Sequence, residues 1–407
     1  MLTRRQPFDT ALAGHRNFTM LSPRDRAFAR LLIVTVLRRL GEIDGRLDRL
    51  LRHPLPEKAG RAQNVLRLGV AQLAYLGTPP HAAVDTAVRL LEKSFPHLKG
   101  VANAILRKVA PDPAADPPAG INTPAWLWDS WLNAYGAATA AAIAAAHLTE
   151  PPLDISVASD PDSWAEQLEA ELLPTGSLRR SAGGNPALLP GFDEGAWWVQ
   201  DAAATLPATL FGDVAGKSVV DLCAAPGGKT AQLAAAGAQV TAVDRSQQRL
   251  KRLGENLQRL SLQAEVVEAD AVVWRPATPA AAVLLDAPCT ATGTIRRHPD
   301  IAHLKTPDDV VRLSALQDRL LRAAVSMAAP GGQIVYATCS LQPEEGPDRI
   351  KAVLEDDTPV VLDPITDTEV PGLDAAIQPD GTLRTLPCHW SERGGLDGFF
   401  IARLRRT

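Results

Sequence analysis

The stretch Ser218-Val-Val-Asp-Leu-Cys-Ala-Ala-Pro-Gly-Gly-Lys-Thr230 decides the fold. Its first five residues form a short apolar run, the length of a buried strand rather than of a helix. A turn containing proline and two glycines follows, and then a helical pattern over residues 230–236 is closed by Gly237. Outward from this unit the alternation continues. Strands are predicted at 239–244, 264–270, 281–286 and 333–338, with helices over 246–260 and from Thr306 and Pro307 to 329. Residues 360–362 and 398–404 are expected to close the sheet. Alternating strands and helices predict an α/β architecture, a doubly wound parallel Rossmann-like sheet. Such sheets bind ligands along the carboxyl rim of their strands.

Three of these strands run into an aspartate at that rim: Asp244, Asp270 and Asp286. Asp244 lies 17 residues past Gly227, where an acidic group hydrogen-bonds a ribose diol. Asp270 is within reach of an adenine edge. In the turn Cys223, Ala224, Ala225, Pro226, Gly227, Gly228, Lys229, the glycines let backbone approach a ligand closely. The N-terminus of the next helix favours a carboxylate there. A phosphate-binding P-loop would need glycine where Cys223 stands, and the G-x-G-x-x-G of a dinucleotide site is absent. S-adenosylmethionine needs no phosphate cradle and tolerates several carboxylates near its positive charges, so it is the favoured cofactor.

Cys289 and Cys339 each sit just past a strand end on the same rim. Two thiols beside a methyl donor suit one difficult reaction. C5 of cytosine is a poor nucleophile, and a thiolate adding at C6 makes the ring enamine-like, so that C5 can attack a sulfonium methyl. Cysteine is nucleophilic near neutral pH and is also a good leaving group. The C5 proton must then depart, which gives a second acid/base group a task. Asp286, three residues before Cys289, is placed to hydrogen-bond the base and stabilise charge at N3. Cys223 and Cys388 read as small buried hydrophobes.

Residues 1–110 read as an all-α domain. Ser22-Pro23 with Asp25 forms a cap before an apolar-periodic run over 28–40, and further helical patterns cover 57–76, 80–95 and 98–109. Residues 111–150 read as a Pro/Ala-rich linker (111–120) and two connecting helices carrying Trp126, Trp128 and Trp131. A small α+β subdomain is expected over 151–200, and the cofactor-binding domain over 201–407. Residues 1–110 carry 19 Lys+Arg against 8 Asp+Glu, a net +11; the remainder carries 23 against 38, a net −15. A basic module joined to an acidic one points to a polyanion-binding accessory domain, although a solvated basic face accounts for the charge equally well.

The chain has 407 residues, 46% hydrophobic and 22% charged, which is ordinary for folded domains. Its longest apolar runs, 31–37 and 137–146, fall short of the roughly 20 residues of a membrane span. Arg4-Arg5 lead into no apolar signal core, so a cytoplasmic location is expected. The four cysteines include no C-x-x-C pair, so neither a metal site nor a structural disulfide is expected.

Three stretches carry a resemblance: Asp221-Leu-Cys-Ala-Ala-Pro-Gly-Gly-Lys-Thr230, Leu285-Asp-Ala-Pro-Cys-Thr-Ala-Thr-Gly-Thr-Ile-Arg-Arg-His-Pro-Asp300 and Val335-Tyr-Ala-Thr-Cys-Ser-Leu-Gln-Pro-Glu-Glu345. They resemble the signatures of bacterial RNA 5-methylcytosine methyltransferases, most closely the RsmB/Sun/Fmu family acting on small-subunit (16S) ribosomal RNA. Gln200-Asp201 and Asp397-Gly-Phe-Phe400 fit that pattern. Pro79-Pro-His-Ala-Ala83 and the segment 103–107 resemble the family's NusB-like RNA-binding domain. The resemblance implies a class I methyltransferase sheet that binds S-adenosylmethionine through Cys223 to Lys229 with Asp244, Asp270 and Asp286. It implies Cys339 as nucleophile and Cys289 as the residue assisting release. Ribosomal RNA is the implied partner; separately, a monomer is expected. Arg296, Arg297 and His298 could hold phosphates beside the target nucleotide, or form a solvated loop. The same chemistry on transfer RNA, or a non-catalytic antitermination-type factor, remains an alternative; the second predicts loss of Cys339, Cys289 or the Gly-rich turn, and all are intact.

Overall fold

The computed structural model describes residues 2, 5–109, 118–181 and 184–407. Most of the expected linker, residues 111–117, lies outside them. The chain forms two compact units, one of residues 1–148 with 298–304, the other of 149–297 with 305–407.

The first unit is helical. Helices cover Phe8–Ala13, Arg16–Thr19, Pro23–Arg38, Leu40–Leu50, Gly60–Ala74, Pro80–Ser94, Lys99–Leu106 and Ala125–Ala146. Ser22 caps its helix as its sequence implies, its hydroxyl accepting from Asp25 N–H at 3.1 Å. Leu40–Leu50 is an additional helix where the sequence suggested an end at Leu40. Ile43 and Leu47 on it are buried with Leu66, Val70, Leu91 and Leu106 in this unit's core. The Ala125–Ala146 segment is broken at Gly136, whose φ of 76° is the left-handed region that glycine tolerates. It is therefore two helical pieces, matching the two helices expected there. Residues 298–304 belong to this unit: Phe8 N–H donates to Asp300 at 2.8 Å, and His303 Nε2 meets the Leu37 carbonyl at 3.0 Å.

The second unit opens with a small antiparallel sheet, β1 (Leu153–Val157), β2 (Glu171–Leu172), β3 (Leu178–Arg180) and β4 (Trp197–Val199), in the order β2-β3-β1-β4. The large sheet follows: β5 (Ser218–Leu222), β6 (Gln239–Asp244), β7 (Glu265–Glu268), β8 (Ala280–Asp286), β9 (Ala328–Thr338), β10 (Val360–Leu362), β11 (Leu383–Thr385) and β12 (Phe399–Arg406). Its order is β10-β12-β9-β8-β5-β6-β7, with β11 beside β12. β7, β6, β5, β8 and β9 run parallel. Successive residues of β8 enter opposite cores: Ala282 and Leu284 pack with Leu206 and Phe211, while Val283 and Leu285 pack with Leu320 and Leu321. Burial on both faces explains the unbroken apolar runs. Truncating the fully buried Leu284 to alanine should cost about 2–5 kcal/mol.

Two features depart from the sequence expectation. β12 is antiparallel to β9 and β10, inserted between them, so the sheet is not wholly parallel. Hydrophobic pattern reports burial, and both directions bury the same residues. Second, β7 ends at Glu268, so Asp270 lies two residues beyond its strand, in a turn where its Oδ1 accepts from Val272 N–H at 2.9 Å. Chain order reverses where β5 lies between β6 and β8, which places the ligand-binding rim at Leu222 and beyond.

Candidate active site

The turn after β5 is fixed by backbone geometry. Gly227 has φ 103°, and a Cβ there would come within 2.8 Å of Leu253 Cγ. Only glycine fits this approach while letting the Gly228–Ala235 helix begin. A cavity opens on each side of the turn.

One, about 300 Å³, is lined by Cys223, Asp244, Asp270, Pro288, Leu316 and Leu320. Asp244 is anchored, its Oδ1 accepting from Ser246 N–H at 2.9 Å and its Oδ2 meeting Arg249 at 3.1 Å. Burial, then the charges of Asp244, Asp286 and Asp221, push the Cys223 thiol up to about 12. Cys223 is thus a neutral wall residue without thiolate reactivity.

The second, about 420 Å³, is bordered by Asp221, Gly228, Lys229, Asp286, Arg297, Cys339 and Phe399. Asp221 is fully buried; its Oδ2 accepts from the Thr230 hydroxyl at 2.6 Å, and its Oδ1 has no partner. Burial pushes its pKa up to about 7, against the pull of Thr230. An unpartnered buried acceptor on a cavity wall suits a ligand ammonium. With apolar walls and Asp244 and Asp270 on the other side, these residues fit S-adenosylmethionine. Lys229 Nζ pairs with Asp286 Oδ2 at 2.8 Å and lies 5.3 Å from the Phe399 ring centroid. Burial pulls the Lys229 ammonium down, but Asp286 more than offsets it, so Lys229 stays charged. Lys229 therefore faces the cavity that holds Cys339.

The two thiols meet as their strand ends suggest. Cys289 Sγ and Cys339 Sγ are 3.5 Å apart. Cys339 borders the 420 Å³ cavity. The contact with Cys339, then burial, pushes the Cys289 thiol well up, which keeps it protonated.

Of the three residues considered for phosphate contacts, Arg296 and Arg297 share one carboxylate, Asp397. Arg296 is only 2% exposed. Its guanidinium pairs with Asp201 and, at 3.0 Å, with Asp397, and donates to the Gly394 carbonyl at 3.1 Å. It is a buried tie between β-sheet loops, which corrects the expectation of an RNA contact: charge in sequence does not report direction. Arg297 pairs with Asp397 at 2.8 Å and borders the cavity, one-third exposed. His298 belongs to the first unit. Asp397, noted in the sequence only as part of a motif, thus sets Arg297 in place, while Asp201 pairs with Arg296 and accepts from Asp397 N–H at 3.1 Å. Acidic residues embedded in apolar stretches were the available signal. Among the described residues no cluster of His, Cys, Asp or Glu could hold a metal, and no helix is long and apolar enough to cross a membrane.

A seven-strand path with one inserted antiparallel strand, and a Gly-turn flanked by rim aspartates, defines a class I S-adenosylmethionine-dependent methyltransferase. Residues 208–405 match the model of the family described as 16S rRNA methyltransferase RsmB/F, and residues 1–111 match the NusB family. The ribosomal RNA small subunit methyltransferase B of Sodalis glossinidius is 36% identical over 406 residues, covering 94% of this chain and 90% of that one. Its counterpart in Cronobacter sakazakii is 35% identical, covering 94% and 91%. A methyltransferase homolog from Pyrococcus horikoshii, solved as a crystal structure, superposes with a TM-score of 0.58 at 27% identity, covering 69% of this chain and 94% of that one. The chain belongs to the RsmB/F family of methyltransferases and carries a NusB-family domain.

Proposed function

We propose that the protein methylates C5 of a cytosine in 16S ribosomal RNA through a transient bond between Cys339 and C6. The observation that carries this reading is that Cys339 lies on the wall of one cavity with the Lys229–Asp286 pair, while a second thiol stands 3.5 Å behind it. Cys339 adds to C6 as a thiolate. Asp286, held by Lys229, meets the charge developing at N3. Bound S-adenosylmethionine supplies an electrophilic methyl group, held by Cys223 to Lys229 with Asp221, Asp244 and Asp270. As the C5–H electron pair re-forms the C5–C6 double bond and the C6–S bond breaks with its pair on sulfur 339, Cys289 passes its proton across the 3.5 Å contact to that sulfur and takes up the C5 proton, so both thiols end neutral.

The target base must leave its stack to reach Cys339, at a cost of a few kcal/mol that is least in unpaired RNA. Arg297, one-third exposed and bordering the cavity, would meet the flipped nucleotide. The basic first unit would add salt-dependent affinity for the RNA. With such a substrate the place of action is the cytoplasm. Bisulfite sequencing of 16S ribosomal and transfer RNA from a deletion strain tests the reading. Loss of one 5-methylcytosine in 16S RNA is expected; loss only in transfer RNA would move the substrate there.

A further inference from the structure

Glu345 has no part in the chemistry above, yet it is fully buried. Glutamate is almost never so placed unless paired. No ion pair reaches it among the described residues. Instead its carboxylate gathers neutral donors. Oε1 accepts from Thr290 N–H at 2.9 Å and Gln317 Nε2 at 3.1 Å; Oε2 accepts from the Ser340 hydroxyl at 2.6 Å and from the Thr290 hydroxyl. Thr290 directly follows Cys289, and Ser340 directly follows Cys339. Gln317 also donates to the Pro288 carbonyl at 2.9 Å. One carboxylate therefore joins the two cysteine-bearing loops and a long helix behind them. Burial pushes its pKa up, while the bonds from Ser340 and Thr290 pull it back. An apolar residue here would strand the Thr290 N–H, the Thr290 and Ser340 hydroxyls and the Gln317 amide without this acceptor, so the carboxylate is what ties these segments to one point.

We propose that Glu345 is a positioning residue that holds the sulfurs of Cys289 and Cys339 in register, so that Cys289 can act when Cys339 leaves the methylated base. This rests on the two-thiol reading above. Cys339 can still add to C6 from a loosened loop, because it needs only its own sulfur and the base. Release needs both sulfurs at their mutual distance. Loss of Glu345 should therefore slow release more than addition, leaving methylated RNA bonded to the protein.

The full chain is incubated with methyl-labelled S-adenosylmethionine and 16S ribosomal RNA from a deletion strain, then run on denaturing gels. Cys289→Ala should accumulate a labelled protein–RNA band. Glu345→Ala should accumulate the same band with Cys289 intact, and turnover should fall about tenfold or more, with the KM for S-adenosylmethionine unchanged. Glu345→Gln keeps the shape, and the hydroxyls can rotate toward its amide, so it should restore most of the turnover. Ser340→Ala deletes a single donor and should show a weaker band; it stands in if Glu345→Ala fails to fold. A band with Cys289→Ala but none with folded Glu345→Ala or Ser340→Ala overturns the role of Glu345. So does a Glu345→Gln protein as slow as Glu345→Ala. No band with Cys289→Ala sinks the two-thiol reading itself.

Discussion

Replacing Arg296 by methionine tests the view that this arginine is structural. The side chain is 2% exposed and neutralises Asp201, itself 2% exposed, while sharing Asp397 with Arg297. Methionine keeps much of the apolar stem but strands Asp201 without its counter-charge. Removing one partner of a buried pair costs about 3–5 kcal/mol. For a unit of this size, each kcal/mol lowers Tm by roughly 2–4 °C, so a fall of roughly 6–20 °C is expected. Thermal unfolding followed by circular dichroism measures it, taking the transition of the second unit alone because two units need not melt together. A Tm within about 2 °C of the parent would refute the buried-network argument and reopen Arg296 as a nucleic-acid contact. Unchanged stability with weakened RNA binding would be the clearest form of that result.

Cys339→Ala should abolish methyl transfer while S-adenosylmethionine still binds by calorimetry; retained turnover would remove this thiol from the mechanism. Asp221→Asn keeps the Thr230 contact but loses the charge offered to the cofactor's ammonium. A hydrogen bond to a charged group contributes about 1.5–3 kcal/mol, so affinity should weaken roughly 10- to 150-fold. Since the Asp221 pKa is raised to about 7, cofactor affinity in the parent should rise as pH passes through 7, and this rise should vanish in Asp221→Asn. The free protein shows the opposite sign: Asp221 favours the folded state below its unfolded pKa near 4, and that contribution is lost as pH rises through 7. Asp397 behaves conversely. Burial pushes its pKa up, but Arg297 and then Arg296 hold it below the usual carboxylate range, so its contribution is present above about pH 4 and is lost only on stronger acidification. Acid titration of Tm in Asp397→Asn, compared with the parent, checks this.

The order of elements, the turn from Cys223 to Lys229 and the pairing of Cys289 with Cys339 at strand ends are legible along the chain. They rest on local signals: a run of apolar residues, a proline with glycines, a cap. Such signals depend on neighbours within a few residues, and the sequence states those neighbours outright. Strand direction was not legible, because β12 buries its alternate residues equally well either way round. Nor was the fate of the arginines. Arg296 and Arg297 are adjacent in sequence, yet one is enclosed by Asp201 and Asp397 and the other borders the cavity. Glu345 shows the same division: nothing in Gln342-Pro-Glu-Glu345 distinguishes a buried carboxylate from its exposed neighbour Glu344. What decides these cases is which distant segments the sheet brings within hydrogen-bonding reach, over separations of 28 to 101 residues. Sequence therefore determined the elements and the chemistry carried at their ends; tertiary packing decided which charged groups face one another and which face the ligand.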